Sequence, residues 1–203
     1  MFAIPPMPKG NGLPCKTMVT VFESRNLEEW GYSEYRYLMF MLPIVLKAKT
    51  IVETGLGQGA STVIFLEACR FLGDCKLYTY EININKEDTV SARKKIAELN
   101  LTKWWTLIEK DSVQGGREWK ESEIDILYLD SHHSAEHVYN ELEAWVPHVK
   151  DTGIIFAHDT NPTYAHPPDW KPLDAFAKYA QQKNHKIVNL TFPQGMCFLI
   201  RRH

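Results

Sequence analysis

Three glycines at alternate positions, Gly55, Gly57 and Gly59, connect an apolar segment that ends at Thr54 to a pattern typical of a helix. Glycine permits tight turns and lets a ligand approach the main chain closely, and a helix start offers free N–H groups with partial positive charge. A dinucleotide fingerprint, G-x-G-x-x-G, needs its third glycine one residue later. Glu53 would also repel a pyrophosphate, whereas it suits a ligand with an ammonium group. The alternative is a glycine turn that binds nothing.

Acidic residues follow the next two apolar segments. Glu81 ends segment 76–81, and a carboxylate at the tip of a second strand can accept hydrogen bonds from both ribose hydroxyls. Considered alone, Glu81 is typical of a solvated strand end, but its place after the glycine loop favours the ribose role. Asp111 and Ser112 follow the third segment, where the pair can bind the exocyclic amine of an adenine or cap a helix. Together these positions predict a nucleoside site.

A second set of reactive side chains follows two later segments. Asp130 precedes His132 and His133, and His158 precedes Asp159. Because the carboxyl ends of parallel strands meet at one crevice, these groups can converge although they are distant in the chain. Two carboxylates and an imidazole suit Mg²⁺ or Mn²⁺, which can lower the pKa of a substrate hydroxyl, and a neutral histidine can then remove the proton. The alternative is a metal-free polar cleft in which Asp130 caps the next helix.

Alternating strand-like and helix-like segments position these residues. Strand-like runs are predicted at 50–54, 76–81, 104–109, 124–130 and 153–158, and helices at 33–49, 60–71, 86–100, 135–149 and 172–183. Only 114–120 is ambiguous. Such alternation implies right-handed crossovers and a mostly parallel sheet with helices on both faces. The last two runs, KIVNL and MCFLI, are joined by a Pro/Gly turn, so the final strand must be antiparallel. The fold class is therefore α/β, a Rossmann-like doubly wound sheet.

The composition excludes several classes. The chain has 203 residues, 44% of them hydrophobic and 24% charged, with a net charge of −2, so it can form a core without being a globally basic nucleic-acid binder. No apolar stretch reaches the ~18 residues of a membrane span, and the first residues lack a secretory signal. These features predict a cytoplasmic protein. Four cysteines without C-x-x-C spacing predict reduced thiols: Cys15, Cys69, Cys75 and Cys197.

Two further segments are predicted to enclose an acceptor. Residues 1–47 are expected to form an N-terminal arm and cap helix, and residues 48–203 the cofactor-binding domain. The long loop 160–171 is either an acceptor wall or a surface loop packed by its own aromatics. The candidate contacts from both segments are Trp30, Tyr32, Tyr35, Tyr164, His166 and Trp170. Trp104 and Trp105 are typical of a strand edge or of a subunit contact in a homo-oligomer, and no basic–aromatic stripe favours nucleic acid. The histidines without a special signal are His132, His137, His148, His166, His185 and His203.

Over about residues 48–202 the chain resembles the class I S-adenosylmethionine-dependent methyltransferases. The resemblance rests on the motif ETGLGQG, on Glu81 and Asp111 after successive strands, and on the terminal hairpin. It implies the strand order 3-2-1-4-5-7-6 with strand 7 antiparallel. It also implies S-adenosylmethionine as cofactor, with the methionine part at the glycine loop, the ribose at the second acid and the adenine at the Asp–Ser pair. The cofactor residues predicted are Glu53, Gly55, Gly57, Gly59, Ser61, Glu81, Asp111 and Ser112.

Residues 124–160 are similar to one branch of that superfamily, the metal-dependent O-methyltransferases that act on sugars of antibiotics, with the group named after cephalosporin hydroxylation. The similarity implies Asp130 and Asp159 as metal ligands and His133 as the general base. The sequence departs from the branch at His158, which stands where the branch has an acid. An imidazole can ligate a metal but adds no negative charge, so we expect His158 to weaken Mg²⁺ binding, to favour Mn²⁺ or to leave the site without metal.

The expected activity is methyl transfer from S-adenosylmethionine to an oxygen of a small-molecule acceptor, assisted by a divalent metal. Asp130 and His133 are the predicted catalytic residues, and Asp130, His158 and Asp159 the predicted metal ligands. One alternative is a cofactor-binding protein without catalysis, which fold resemblance alone does not exclude. The other is a nucleotide-dependent oxidoreductase, which the glycine spacing disfavours.

Overall fold

The computed structural model describes residues 33–163, 166–191 and 193–202. Trp30, Tyr32, Tyr164 and the side chain of Tyr35, all predicted acceptor contacts, lie outside the described part. Residues 36–203 form one compact unit, and the boundary expected between residues 47 and 48 stays a prediction. No helix within the described ranges has the length and hydropathy needed to cross a bilayer.

Helices and strands alternate along almost the whole described chain. In chain order they are α1 (Ser33–Leu46), β1 (Thr50–Thr54), α2 (Ala60–Leu72), β2 (Lys76–Glu81), α3 (Glu87–Glu98), β3 (Trp105–Glu109), α4 (Ser112–Glu118), β4 (Ile124–Leu129), α5 (Ala135–Trp145), β5 (Val149–His158), α6 (Pro172–Gln182), β6 (Lys186–Leu190) and β7 (Met196–Ile200).

The seven strands form one sheet in the order β3-β2-β1-β4-β5-β7-β6. Strands β1 to β5 are mutually parallel, whereas β7 is antiparallel to both β5 and β6. The short connection between β6 and β7 forces this reversal, because a hairpin joins antiparallel strands. The predicted Rossmann-like α/β fold and strand order are confirmed.

The central strands bring their carboxyl ends to one level. Strands β1 and β4 are buried along their whole length, as expected for parallel strands covered on both faces. Beyond the paired residues, the Asp130 N–H donates to the Thr54 carbonyl at 3.0 Å and the Gly55 N–H donates to the Tyr80 carbonyl at 2.8 Å. These two bonds join the ends of β1, β2 and β4. They therefore fix the position of the glycine loop relative to Asp130.

Several predicted boundaries shift for local reasons. Residues 114–118 of the ambiguous segment 114–120 belong to α4, which begins where Asp111 caps the Gln114 N–H at 2.9 Å. Strand β5 begins four residues before the predicted start, and its pairing with β4 contains an irregularity between Ile124 and Ile126. The helix after β4 is capped by the Ser134 side chain, so Asp130 is not its cap and its carboxylate stays available.

An aromatic cluster holds α4 against the sheet and against α5. The Trp145 ring lies 5.0 Å from that of Tyr80, and its Nε1 donates to the Ser112 carbonyl at 2.9 Å. Gly115 and Gly116 permit this approach, since a Cβ at either position would lie within 3.0 Å of the Tyr80 ring or of Ala144. The packing therefore fixes the first turn of α4 beside the carboxyl ends of the strands.

Candidate active site

The main cavity, of about 450 Å³, opens at the carboxyl ends of β1 to β4. Five of the predicted cofactor residues line it: Gly55, Gly57, Glu81, Asp111 and Ser112. They come from the turns after three neighbouring strands, as the parallel topology requires. The sequence-predicted nucleoside residues therefore converge, although they are up to 57 positions apart in the chain.

All three glycines of the loop have a backbone conformation with positive φ, which favours glycine. Gly55 has φ +86°, and a Cβ on it would lie 2.3 Å from the Asp130 carbonyl oxygen. Gly57 has φ +48° but open space around it. Gly59 has φ +76° and does not line the cavity, and a Cβ there would also lie 2.9 Å from the Ala92 Cβ on α3. Of the three glycines, Gly55 and Gly57 therefore line the cavity.

Glu53 lies in the core and outside the residues that line the cavity. Its side chain has 0% exposure and accepts hydrogen bonds from Ser61 Oγ at 2.5 Å, Thr62 Oγ1 at 2.7 Å and Thr79 Oγ1 at 2.9 Å. Burial raises the pKa of Glu53 to about 7 although the three hydroxyls lower it. Glu53 and Ser61 therefore tie the start of α2 to β1 and β2, and the direct contact with a ligand predicted for them stays a prediction.

Glu81 is held by main-chain donors at the end of β2. Its Oε2 accepts from the Leu56 N–H at 3.1 Å and its Oε1 from the Asn83 N–H at 3.0 Å. Each carboxylate oxygen can accept a further hydrogen bond. The arrangement suits a vicinal diol, and it also fastens the glycine loop to the second strand.

Asp111 and Ser112 show one of the two roles that the sequence left open, the helix cap, and their position is compatible with the other. The Asp111 side chain caps α4 and the residue lines the cavity. Ser112 is 6% exposed, and its Oγ lies 3.1 Å from His137 Nε2. The cap and the ligand contact are therefore compatible, because a carboxylate has enough lone pairs for both.

Asp130, His133 and Asp159 form a tight side-chain cluster after β4 and β5. His133 Nε2 lies 3.2 Å from Asp130 Oδ1 and 3.0 Å from Asp159 Oδ2, and one ligand atom from each of the three lies within 4.8 Å of the others. His158, predicted as a ligand, lies behind this group, with Nδ1 3.4 Å from Asp159 Oδ1 and 4.0 Å from Asp130 Oδ1. His133 rather than His158 completes the set of three.

The carboxylates of the cluster favour a protonated His133, and the histidines favour an ionised Asp159. Burial disfavours the imidazolium of His133, but hydrogen bonds to Asp130 and Asp159 and the charges of both outweigh it and raise its pKa to about 10. The pKa of Asp159 stays well below its usual range because His133 and His158 stabilise its charged form against burial. The two carboxylates fit a divalent ion such as Mn²⁺ or Mg²⁺, and His133 Nε2 can serve as a third ligand or as a base but not as both, because this atom has one lone pair.

The loop after β5 is attached directly to this cluster. The Trp170 ring stacks on His133 with centroids 4.2 Å apart and planes at 12°, and His166 stacks on the same indole at 5.9 Å. The main chains are also joined, because the Lys171 N–H donates to the His133 carbonyl at 2.8 Å and Ser134 pairs with Trp170. The loop is thus packed by its own aromatics and at the same time borders the cluster.

A second cavity, of about 290 Å³, lies on the other side of the cluster. It is lined by Asp159, His166 and Trp170 together with prolines of the same loop and the start of α6. Asp130 lines the first cavity and Asp159 the second, so the cluster stands between them. This is the geometry that a reaction between two separately bound molecules needs.

Sequence analysis missed part of the cavity wall. Ser131, His132 and His137 line the main cavity, although no special role was predicted for His132 and His137. A local signal was present for His137, which stands four residues before Glu141 on α5. Four further residues complete the wall: Tyr80, Ile82, Lys86 and Lys110.

The model of a family described as "Methyltransferase domain" matches residues 52–160, just over half of the chain. No protein of curated function matches the sequence. Among solved structures, the chain is similar to the S-adenosylhomocysteine-bound methyltransferase PaMTH1 of Podospora anserina, with 16% identity, 100% of each chain covered and a TM-score of 0.64. It is also similar to the O-methyltransferase TomG of Streptomyces achromogenes, in complex with S-adenosylmethionine, with 14% identity, 83% of this chain and 79% of that one covered, and a TM-score of 0.63. A third similar structure is an O-methyltransferase of Bacillus cereus in complex with S-adenosylhomocysteine. It has 14% identity, with 82% of this chain and 80% of that one covered, and a TM-score of 0.61.

Proposed function

The chain belongs to the methyltransferase-domain family, and from that premise we propose that it transfers the methyl group of S-adenosylmethionine to an oxygen atom of a small-molecule acceptor with the help of a divalent metal. Solved structures of the same fold hold S-adenosylmethionine or S-adenosylhomocysteine. In this chain the main cavity offers a diol-binding carboxylate at Glu81, and Asp111 with Ser112 for the base. Gly55 and Gly57 leave room for the amino-acid part.

The observation that carries the proposal is the position of the Asp130–His133–Asp159 cluster between the two cavities. A cofactor in the main cavity and an acceptor in the second cavity would meet at this cluster. Because the sulfonium methyl is already activated, the protein's main task is to align the two reactants and to remove the hydroxyl proton.

The residues of the cluster would divide the chemistry as follows. Asp130 and Asp159 would hold a divalent ion, whose chemistry when bound is to lower the pKa of a neighbouring hydroxyl. His133 Nε2 lies between the two carboxylates, and its raised pKa keeps it protonated near neutral pH. His133 would therefore accept the acceptor's proton only after releasing its own proton to solvent, and a divalent ion held by Asp130 and Asp159 would favour that release because it would neutralise their charge. His158 supports Asp159 from behind.

The test separates cofactor binding from chemistry. Calorimetry should record binding of S-adenosylhomocysteine but not of NADH, and methyl transfer to a panel of hydroxylated acceptors should fall when divalent ions are chelated. Asp159→Asn should lower turnover at least ~100-fold while its affinity for S-adenosylhomocysteine stays within about twofold, since Asp159 does not line the main cavity. Asp169→Asn, an exposed acid of the same loop, is the matched control and should behave like the wild type.

Each alternative function has its own outcome. Heat with NADH and none with S-adenosylhomocysteine would favour the oxidoreductase. Binding of S-adenosylhomocysteine without any methylated product across the panel would favour a cofactor-binding protein that acts through a partner. Turnover that is equal with and without chelator would remove the metal from the proposal but leave methyl transfer in place.

A further inference from the structure

A buried hydrogen-bond network lies behind the α4 end of the main cavity. Glu141 on α5 has 0% exposure, and its Oε1 accepts from Ser131 Oγ at 2.7 Å. His137 Nε2 lies 3.1 Å from Ser131 Oγ, 3.1 Å from Ser112 Oγ and 3.6 Å from Glu141 Oε1. Ser112, Ser131 and His137 line the cavity, so the network links a fully buried carboxylate to the ligand space.

Counting hydrogens fixes the direction of each bond. A hydroxyl has one hydrogen, and that of Ser131 is used on Glu141, so Ser131 Oγ must accept from His137. His137 Nε2 therefore carries one hydrogen and has no lone pair, so the two hydroxyl oxygens Ser131 Oγ and Ser112 Oγ share that hydrogen and Ser112 does not donate to the ring. The contact with Glu141 also raises the pKa of His137, which keeps that hydrogen in place.

Ser112 is left with its own hydroxyl hydrogen. Among the described residues its Oγ has His137 as its one hydrogen-bond partner, and Ser112 lines the cavity. Resting on the proposed function, we infer that Ser112, held by His137 and Glu141, is an obligatory hydrogen-bond donor that selects a ring nitrogen of the cofactor's adenine. His137 and Glu141 are positioning residues in this scheme, and Ser112 is the residue that touches the ligand.

The cost of the network supports a role in recognition. A buried carboxylate loses its hydration and stabilises a fold less than an apolar side chain of the same volume would. Glu141 replaces only part of that hydration, since its Oε2 has no hydrogen-bond partner within the described residues. What the carboxylate does provide is a single orientation of the two hydroxyls that face the ligand, and a donor fixed in advance discriminates strongly between ligands with and without an acceptor.

The experiment compares S-adenosylhomocysteine with its 1-deaza, 3-deaza and 7-deaza analogues, each of which replaces one ring nitrogen by C–H. Calorimetry on the wild type should find that one analogue binds at least about tenfold more weakly than S-adenosylhomocysteine. In Ser112→Ala that difference should vanish, because the donor is gone. The main-chain N–H groups of α4 persist in this variant, so a difference that survives in it comes from them and overturns the inference.

Variants of His137 test the positioning role. His137→Leu should lose most of the discrimination, whereas His137→Gln, which keeps an N–H donor, should restore part of it. His148→Leu is the matched control: His148 lies 2.9 Å from the Gly116 carbonyl on α4 but does not line the cavity, so it should change stability without changing the ratio between analogues.

The outcomes distinguish this inference from the proposed function. If the wild type does not bind S-adenosylhomocysteine, the proposed function fails. If it binds S-adenosylhomocysteine and all three analogues equally well, only the Ser112 inference fails. If the wild type and His137→Leu discriminate equally between S-adenosylhomocysteine and its analogues, Ser112 selects the ligand without its buried partners. That result would overturn the positioning role of His137 and Glu141.

Discussion

Two buried carboxylates at the same edge of the sheet have opposite electrostatics. Glu53, at the end of β1, is surrounded by hydroxyl donors, and burial raises its pKa to about 7. Asp159, after β5, faces His133 and His158, which keep its pKa well below the usual range despite burial. The same chemical group is therefore biased towards its neutral form on the cofactor side and towards its charged form on the cluster side.

On the proposed function, this difference means that the two sides would recognise their ligands by different means. The cofactor side uses main-chain shape and hydrogen bonds, such as the close approach at Gly55 and the N–H groups on Glu81. The cluster side concentrates negative charge that a proton or a cation must neutralise. Substitutions that change the shape of the main chain should therefore alter binding on the cofactor side. Changes of pH or of metal concentration should alter the cluster side.

The largest loss of stability and of ligand binding is expected from Gly55→Ala, because Gly55 lies where the glycine loop contacts the main chain of Asp130. The new Cβ would lie 2.3 Å from the Asp130 carbonyl oxygen at a φ of +86°, so overlap and strain should cost more than about 3 kcal/mol. Denaturant unfolding and calorimetry with S-adenosylhomocysteine measure the two consequences. Gly57→Ala, with open space around it, should cost only about 1–2 kcal/mol, and equal losses in both variants would contradict this account.

The charge of the cluster predicts a second, smaller effect in protein freed of divalent ions. Because the folded pKa of His133 is raised to about 10 from 6.5, its stabilising contribution is complete below pH 6.5 and is lost as the pH rises through 10. The free energy of unfolding should fall by about 2–4 kcal/mol over that window. Denaturant unfolding with chelator, from pH 6 to 10, measures it. His133→Gln should remove this part of the pH dependence, and Mn²⁺ should restore stability in the wild type by binding the folded state.

Glu53 predicts a loss in a lower pH window. An acid whose folded pKa is raised from 4.5 to about 7 favours folding below pH 4.5, and that contribution is lost as the pH rises through 7. The wild type should lose about 2–3 kcal/mol between pH 4.5 and 8 from this group. Glu53→Gln should flatten the curve there while leaving the window above pH 7 unchanged. Parallel curves for variant and wild type would mean that Glu53 is not responsible.

The smallest effect is expected at Lys110, a charged residue of the cofactor side. Lys110 lines the main cavity but pairs with the exposed Glu118 at 2.6 Å, and exposed ion pairs contribute little because solvent screens them. Lys110→Met should change the affinity for S-adenosylhomocysteine by less than about threefold. A loss of tenfold or more would show that this side also binds through charge, and the contrast between the two sides would disappear.

The fold was largely predictable because its signals are local. Apolar runs such as Ile124–Leu129 mark strands buried on both faces, and the Pro/Gly turn before Met196 fixes the antiparallel end. The residues at the strand ends followed from topology alone, since parallel strands bring Glu81 and Asp111 to one crevice.

The details of the site depend on packing that the sequence does not encode locally. The spacing of residues in the sequence does not show that hydroxyls from α2 and β2 enclose Glu53. Nor does it show that Asp111, the cap of α4, also lines the cavity. His137 reaches the cavity because α5 packs on α4 through Trp145. In the Asp130–His133–Asp159 cluster, Asp159 has φ +57°. The chain therefore turns directly after His158 and brings the Asp159 carboxylate towards His133.

The indole of Trp170 has a consequence for inhibition. Since one of its faces covers His133 and the following residue is bonded to the same histidine's carbonyl, the loop cannot swing outward while the cluster keeps its geometry. On the proposed function, a compound that inserts between the indole and the imidazole would stop turnover without competing for the nucleoside.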